Sequence, residues 1–167
     1  PGPGFGGPCL EKDLMALIEL GNFYHLESTF MKAILKRNER QVELILDKII
    51  SEIKDNGSLI TILGLSFKAN TDDIRNSASI KLINLLLDKG YKVNSYDPKA
   101  KFRLKNENYF QFDDLYSAFN KSNCAVIMTE WDDFKNLDFI KISKLMSSNI
   151  ILDLSLIHIS EPTRLAT

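Results

Sequence analysis

The feature that most constrains the fold of this chain is the alternation of short β-rich runs with helical segments after Gly57. Strands are predicted at Leu59 to Leu63, Lys92 to Tyr96, Ala125 to Met128 and Asn149 to Leu152. Helices are predicted between them, at Ser79 to Asp88, Asp113 to Asn120 and Asp138 to Met146. Alternation of this kind predicts an α/β fold, a Rossmann-like parallel sheet with helices on both faces and right-handed connections.

The residues before Gly57 show helical periodicity instead. A short helix is predicted from Lys12 to Leu20, with Gly21-Asn22 as its stop signal. A long helical segment is predicted from about Leu26 to Lys54, and its apolar stripe consists of Val42, Ile45, Leu46, Ile49, Ile50 and Ile53. The simplest interpretation of this stripe is core; a subunit interface is the alternative. The Asp55-Asn56-Gly57 break predicts a domain boundary.

Composition excludes several classes of protein. The net charge of -1 argues against a dedicated nucleic-acid binder. No apolar run is long enough to span a membrane and no signal peptide is recognisable, so no membrane partner is expected. The two cysteines and two histidines favour neither a disulfide scaffold nor a metal site, and a cytoplasmic location is expected.

The first candidate site is the segment Phe5-Gly6-Gly7-Pro8-Cys9, which is followed by Lys12 and Asp13. Glycines let a backbone approach a ligand closely, and a helix N-terminus or a nearby cation stabilises a cysteine thiolate. Asp13 lies one helical turn beyond Cys9, so a nucleophile and a carboxylate would face the same pocket. The alternative is that Cys9 is a small buried apolar residue and that Lys12 and Asp13 are simply solvated.

The second candidate site is the loop after the first predicted strand. In doubly wound sheets ligands bind outside the carboxyl ends of the strands, here after Leu63, Tyr96 and Met128. Lys68 and Arg75 follow the first of these strands, and their two cations suggest a phosphorylated ligand. The alternative is that Asp72 and Asp73 pair with Arg75 and that Lys68 is solvated.

Both segments resemble motifs of the nucleotide-sugar 6-dehydrogenases, the family of UDP-glucose and GDP-mannose dehydrogenases. The first segment is similar to the catalytic-cysteine motif, and the stretch from Gly64-Leu65-Ser66-Phe67-Lys68 to Arg75 is similar to the nucleotide-sugar loop. Three further matches support the resemblance: Asn38-Glu39-Arg40-Gln41, Tyr96-Asp97-Pro98 and Thr129-Glu130-Trp131. The resemblance covers essentially residues 1 to 153.

This resemblance implies a two-step, NAD-dependent oxidation of a sugar C6 alcohol to a carboxylate. Cys9 would capture the aldehyde as a thiohemiacetal that is then oxidised to a thioester, and Asp13 would assist the water and proton transfers. Lys12 and Arg75 would contact NAD. The nucleotide sugar, UDP-linked by preference, would be held by four residues: Phe5, Gly6, Phe67 and Lys68.

The resemblance also implies that the chain is a C-terminal fragment. Residues 1–56 would end a central helical domain, and its long helix would form a homodimer. Residues 57–153 would bind the nucleotide sugar, and an N-terminal NAD-binding domain would be a missing partner. Residues 154–167 are similar to a translated sequencing adapter and are expected to be non-native. Pro8 and Leu10 stand where many UDP-glucose enzymes carry Ser and Phe, which leaves the sugar undetermined.

Two alternatives remain open at the level of sequence. A non-catalytic nucleotide-binding or regulatory module would share the fold, because a fold does not determine a function. The nucleotide could also be one other than UDP. Cys124 begins an apolar run and is predicted to be a buried strand residue.

Overall fold

A computed structural model describes residues 3–53, 55 and 57–158 of the chain. Within these residues four α-helices are formed: α1 (Leu10–Phe23), α2 (Thr29–Glu52), α3 (Ala78–Asp88) and α4 (Phe139–Leu145). The same part of the chain forms five strands: β1 (Leu59–Leu63), β2 (Lys92–Tyr96), β3 (Tyr109–Gln111), β4 (Cys124–Ile127) and β5 (Ile150–Asp153). Two single 3₁₀ turns lie at Ser117–Phe119 and Asp132–Phe134.

The five strands form one parallel sheet in the order β3-β2-β1-β4-β5. The central strand β1 pairs with β2 in the register Leu59 opposite Lys92, and with β4 in the register Ile60 opposite Cys124. The predicted parallel α/β fold is therefore confirmed. After β3 the chain crosses β1 to form β4, so the loops that follow β1 and β4 diverge at the carboxyl edge and leave a crevice between them.

Helices cover both faces of the sheet because each strand sends alternate side chains into two different cores. On one face Ile60 and Ile62 of β1 pack with the apolar residues of α2 and α3. On the other face Leu63 packs with Phe119, Phe134 and the apolar side of α4. A strand that is buried on both faces reads as a continuous apolar run, which is why β1 and β4 were recognisable in the sequence.

The apolar stripe of α2 is core. Val42, Ile45, Leu46 and Ile49 are buried, and they belong to the same cluster as β1 and α3. These side chains already pack inside the chain, so they cannot also contact a second subunit. The interpretation of the stripe as a subunit interface is therefore wrong. Lys54 and Asn56, which belong to the predicted end of this helix and to the predicted domain boundary, lie outside the described residues.

Three element predictions differ from the structure. The helix predicted at Asp113 to Asn120 shrinks to the 3₁₀ turn at Ser117–Phe119, because the Asp114 carboxylate accepts the Ser117 N–H at 2.7 Å and holds a local turn. Strand β3 was missed because it has only three residues. Helix α1 continues past Gly21 to Phe23, so this glycine does not end the helix. It allows close packing instead, because a Cβ at this position would overlap the Ser28 hydroxyl.

The chain after β5 is described only as far as His158. The Asp153 carboxylate accepts hydrogen bonds from the backbone N–H groups of Ser155, Leu156 and His158, which curls this segment back. Residues 159–167 of the predicted non-native tail lie outside the described residues, and its origin stays a prediction. None of the helices in the described part of the chain is long and apolar enough to cross a membrane.

Alanine substitutions at Gly64, which follows β1, and at Gly90, which follows α3, separate the cost of a packing overlap from the cost of backbone strain. Both have positive φ values, +86° and +84°, but a Cβ on Gly64 would overlap the Thr129 hydroxyl, whereas one on Gly90 would meet nothing within 4 Å. Gly90→Ala should cost only the backbone strain, about 1–2 kcal/mol. Gly64→Ala should cost about 1–3 kcal/mol more because of overpacking. Chemical denaturation measures both, and equal losses would contradict the close approach of Thr129.

Candidate functional site

A cavity of about 500 Å³ lies at the carboxyl edge of the sheet, between the loops that follow β1 and β4. Its position is the point where the strand order reverses, which is where ligands bind in open α/β sheets. Its polar lining combines one cation, Lys68, one exposed carboxylate, Glu130, and five residues that carry hydroxyl groups: Ser66, Ser77, Ser79, Thr129 and Ser155. The two strand-end loops predicted from Leu63 and Met128 therefore line one site.

The N-terminus of α3 opens into this cavity. Ser77 caps the helix: its hydroxyl accepts the Ser79 N–H at 3.2 Å and donates to the Leu65 carbonyl at 2.7 Å. Ala78 and Ser79, the first helical residues, line the cavity. The positive end of a helix dipole beside Lys68 favours an anionic ligand such as a phosphate.

Thr129 contributes a hydroxyl that has no hydrogen-bond partner within the described part of the chain. The residue is only 4% exposed, and it lines the cavity. The hydroxyl oxygen itself is fully buried and lies against Gly64, so Thr129 shapes the cavity wall through packing. The sequence placed Thr129 in a family motif but gave it no role.

The cysteine segment is anchored by Asn38 of α2. The Asn38 side chain accepts the Phe5 N–H at 2.8 Å and donates to the Phe5 carbonyl at 2.9 Å, as a neighbouring β-strand would. This two-point contact fixes Phe5 against a helix of the core. Phe5 itself faces a neighbouring groove that is also lined by Phe30 and Ile34 of α2. Asn38 was part of a recognised motif, but sequence alone did not indicate the contact.

The two predicted motifs are in direct contact. The Gly7 N–H donates to the Arg75 carbonyl at 2.9 Å, and the Asn76 side chain donates to the Gly7 carbonyl at 3.3 Å. Gly7 has a φ of +83°, and a Cβ there would lie 2.8 Å from the Phe67 ring. Glycine is therefore required for the segment to lie against the loop after β1. Of the predicted substrate residues, Gly6, Phe67 and Lys68 all line the cavity.

Cys9 is exposed and occupies the N-cap position of α1. Its carbonyl accepts the Asp13 N–H at 2.8 Å, which closes the first helical turn and sets the two residues one turn apart. Lys12 and Asp13 are also exposed. The interpretation of Cys9 as a buried apolar residue is therefore wrong. The prediction that Cys124 is buried is confirmed, and burial raises the pKa of its thiol to about 12.

Arg75 forms an ion pair within its own loop. Its guanidinium donates to Asp73 at 2.6 Å and 3.0 Å, so the alternative interpretation was right for Asp73. These hydrogen bonds are the main reason that the pKa of Arg75 is raised, and the negative charge of a Cys9 thiolate adds to the increase. The same pairing lowers the pKa of Asp73. Lys68 is exposed, and its ammonium lies 5.5 Å from the centre of the Phe67 ring.

The predicted residues therefore fall into two groups. Gly6, Phe67 and Lys68 line the cavity itself, whereas five others do not contribute to its described lining: Phe5, Cys9, Lys12, Asp13 and Arg75. The second group lies along the adjoining cysteine segment and the rim of the loop after β1. The hydroxyl groups of the cavity were missed by sequence reasoning, although the Ser77-Ala78-Ser79 start of a helix is a recognisable capping signal.

A doubly wound parallel sheet with such a cavity at the reversal of strand order defines the Rossmann-like class of α/β domains. Comparison with known families narrows this class. Residues 61–158 match the UDP binding domain of the UDP-glucose/GDP-mannose dehydrogenase family, and residues 1–40 match its central domain. The chain belongs to the UDP-glucose/GDP-mannose dehydrogenase family.

Curated relatives and solved structures support this membership. The chain is 37% identical over 159 residues to the UDP-glucose 6-dehydrogenase of Rickettsia bellii, covering 92% of this chain and 37% of that protein. It is 31% identical over 156 residues to the UDP-glucose 6-dehydrogenase TuaD of Bacillus subtilis, covering 91% and 34%. The chain thus spans little more than a third of the length of these relatives.

Among solved structures, the fold is similar to a UDP-D-ManNAc dehydrogenase from Pyrococcus horikoshii, with a TM-score of 0.81, 28% identity and coverage of 98% of this chain and 38% of that one. It is also similar to a GDP-mannose dehydrogenase from Pseudomonas aeruginosa, with a TM-score of 0.78, 28% identity and coverage of 97% and 39%.

Proposed function

We propose that this chain is the nucleotide-sugar-binding and cysteine-bearing part of an NAD-dependent nucleotide-sugar 6-dehydrogenase. The proposed reaction oxidises the C6 alcohol of UDP-glucose, or of a related UDP-hexose, to the uronic acid. The observation that carries the proposal is the backbone hydrogen bond from Gly7 to Arg75, which joins the cysteine segment to the loop that lines the cavity. The exposed Cys9 segment and the cavity thereby lie on adjoining surfaces, which supports their roles as the proposed nucleophile and the proposed anion-binding site.

The nucleotide sugar is proposed to bind with its diphosphate in the cavity. Lys68 and the N-terminus of α3 would neutralise phosphate charge. Phe67 would contribute an apolar wall, and Gly6 would allow the ligand to approach the backbone. Phe5, held by Asn38, would contact the substrate from the neighbouring groove.

In the proposed chemistry Cys9 acts on the aldehyde that forms when the alcohol is first oxidised. Its thiolate adds to the carbonyl carbon, and the resulting thiohemiacetal carries the hydrogen that the second oxidation removes as hydride. The product is a thioester, whose C–S bond is cleaved by water to release the carboxylic acid and return the thiol. Asp13, one turn along α1, would accept a proton from that water.

NAD would be held mainly by a domain outside this chain, and when bound it would supply the hydride acceptor for both oxidations. Lys12 and Arg75 are exposed cations, a property that fits contact with the phosphates of this cofactor. Arg75 is held by Asp73 at the rim next to the cysteine segment, so its charge would face both the cofactor and the thiolate. The cytoplasm is the proposed location because a reducing compartment keeps the exposed Cys9 in its thiol form.

A homodimer is proposed from a second surface, the apolar surface of α1 and the start of α2. It consists of large exposed side chains: Leu10, Met15, Leu17, Leu20, Phe23, Tyr24, Leu26 and Phe30. Phe23 and Phe30 are 74% and 76% exposed. Such a concentration of exposed apolar area marks an interaction surface, and a second copy of the chain can cover it through two-fold symmetry.

Lys68→Ala should weaken binding of UDP to the chain about tenfold, the effect of losing a charge-assisted contact worth about 1.4 kcal/mol. Calorimetric titration with UDP and GDP measures the effect and also ranks the two bases. Lys92→Ala is the matched control, because Lys92 is exposed at the opposite edge of the sheet. If Lys68→Ala bound every nucleotide as tightly as the wild type does, the assignment of the loop after β1 to nucleotide binding would be wrong.

Iodoacetamide should label Cys9 faster than it labels free cysteine at pH 7, and Arg75→Gln should slow the reaction because a neighbouring positive charge is lost. Cys124 should stay unlabelled until the protein unfolds, since it is buried and its pKa is raised to about 12. Peptide mass spectrometry at timed intervals follows both sites. A Cys9 rate no greater than that of free cysteine would favour the non-catalytic binding module.

Phe30→Asp should shift the chain from dimer to monomer in sedimentation experiments, because a charge would be buried in the proposed interface. Phe110→Asp is the control, since Phe110 is also exposed but lies on β3, away from the apolar surface of α1 and α2. A wild-type chain that remains monomeric up to its highest soluble concentration would contradict the homodimer.

A further inference from the structure

Asp97 is a buried carboxylate that the proposed chemistry does not use. It follows β2 directly, and only 2% of its surface is exposed. One oxygen, Oδ1, accepts the backbone N–H groups of Lys99 at 2.9 Å and Ala100 at 2.6 Å. This oxygen closes the turn of its own loop. The other oxygen, Oδ2, contacts residues of the loops that follow β1 and β4.

That second oxygen, Oδ2, is a junction between strand-end loops. It accepts the backbone N–H groups of Leu65 at 2.7 Å and Ser66 at 3.0 Å, and the Ser66 hydroxyl at 3.1 Å. The Trp131 indole N–H is shared between two acceptors: its nitrogen lies 3.3 Å from Oδ2 and 3.2 Å from the Ser66 hydroxyl oxygen. A single carboxylate therefore ties together the loops that follow β1, β2 and β4.

The hydrogen bonds explain why a carboxylate is required. Its donors are backbone amides, a hydroxyl and an indole, and no ion pair with Asp97 occurs among the described residues. A buried negative charge is costly unless such bonds compensate it. The change Asp97→Asn would keep one accepting oxygen, but the new NH₂ group would face N–H donors that the second carboxylate oxygen now satisfies.

Both walls of the cavity depend on this junction. Leu65 and Ser66 immediately precede Phe67 and Lys68, which line one wall, and Trp131 immediately follows Thr129 and Glu130, which line the other. The Phe67 N–H donates to the Asp73 carbonyl at 3.0 Å, so the loop after β1 is held at both ends. Releasing the Asp97 end would remove the hydrogen bonds that fix the Leu65 and Ser66 amides and the Ser66 hydroxyl, and would leave Leu65 held through its carbonyl by Ser77.

We propose that Asp97 is the positioning residue of the nucleotide site: its carboxylate sets the separation of the two cavity walls and the place of the Lys68 ammonium. This inference rests on the proposed function, because it assumes that the cavity takes a nucleoside diphosphate. Asp97 would not touch the ligand. It acts through Ser66 and Trp131 on the residues that do.

The test is calorimetric titration of the 167-residue chain with UDP. Asp97→Asn should weaken binding at least tenfold, measured at a temperature where its far-UV circular dichroism equals that of the wild type. Asp47→Asn, at an exposed position of α2, should bind as the wild type does. In a Lys68→Ala background Asp97→Asn should weaken binding less than threefold, because the two changes act through the same loop.

Trp131→Phe tests the same junction should Asp97→Asn fail to fold. It removes one N–H donor while keeping an aromatic ring, and it should weaken UDP binding two- to tenfold. Binding within twofold of the wild type in Trp131→Phe and in any folded Asp97→Asn would overturn the positioning role alone. A full tenfold loss on top of Lys68→Ala would also overturn it, since the effect would then be general destabilisation. A wild-type chain that binds neither UDP nor GDP would overturn the proposed function, and the positioning role with it.

Discussion

The burial of β1 on both faces and along both edges is the constraint on which the rest of the structure depends. Its neighbours β2 and β4 satisfy its backbone, and its alternate side chains enter two separate apolar cores. A strand enclosed in this way has no freedom to shift register without moving an entire apolar set to the wrong core. The carboxyl end of β1 is therefore a fixed point, and the loops of the neighbouring strands are arranged around it.

Close backbone approach at that fixed point is what makes a site possible. Gly64 brings the chain against Thr129, and Gly7 lies against the Phe67 ring and bonds to Arg75. In each case a β-carbon would occupy the space that the neighbouring group needs. The glycines thus determine which segments meet, and the polar groups that line the cavity follow from that meeting.

The two cysteines show how position decides chemistry. Cys124 lies in β4, between β1 and β5, where desolvation raises its pKa to about 12 and keeps it a neutral thiol. Cys9 lies exposed at the N-cap of α1, next to a loop that carries Arg75. The residue type is the same, but of these two cysteines only Cys9 is accessible to solvent.

The sequence by itself determined the parallel α/β fold, the bounds of β1 and β2, and the burial of Cys124, because apolar runs and their spacing report burial directly. The family resemblance also predicted that Phe67, Lys68 and the cysteine segment contribute to one site; Phe67 and Lys68 line the cavity, whereas Cys9 does not belong to its described lining. Only the tertiary structure decided that Asn38 holds Phe5, that Thr129 lies over Gly64 and that Asp97 joins three loops. Those contacts link residues more than thirty positions apart, or depend on the space left by a missing β-carbon. A local sequence pattern cannot predict these contacts, because they form only after the strands have paired and brought the loops next to one another.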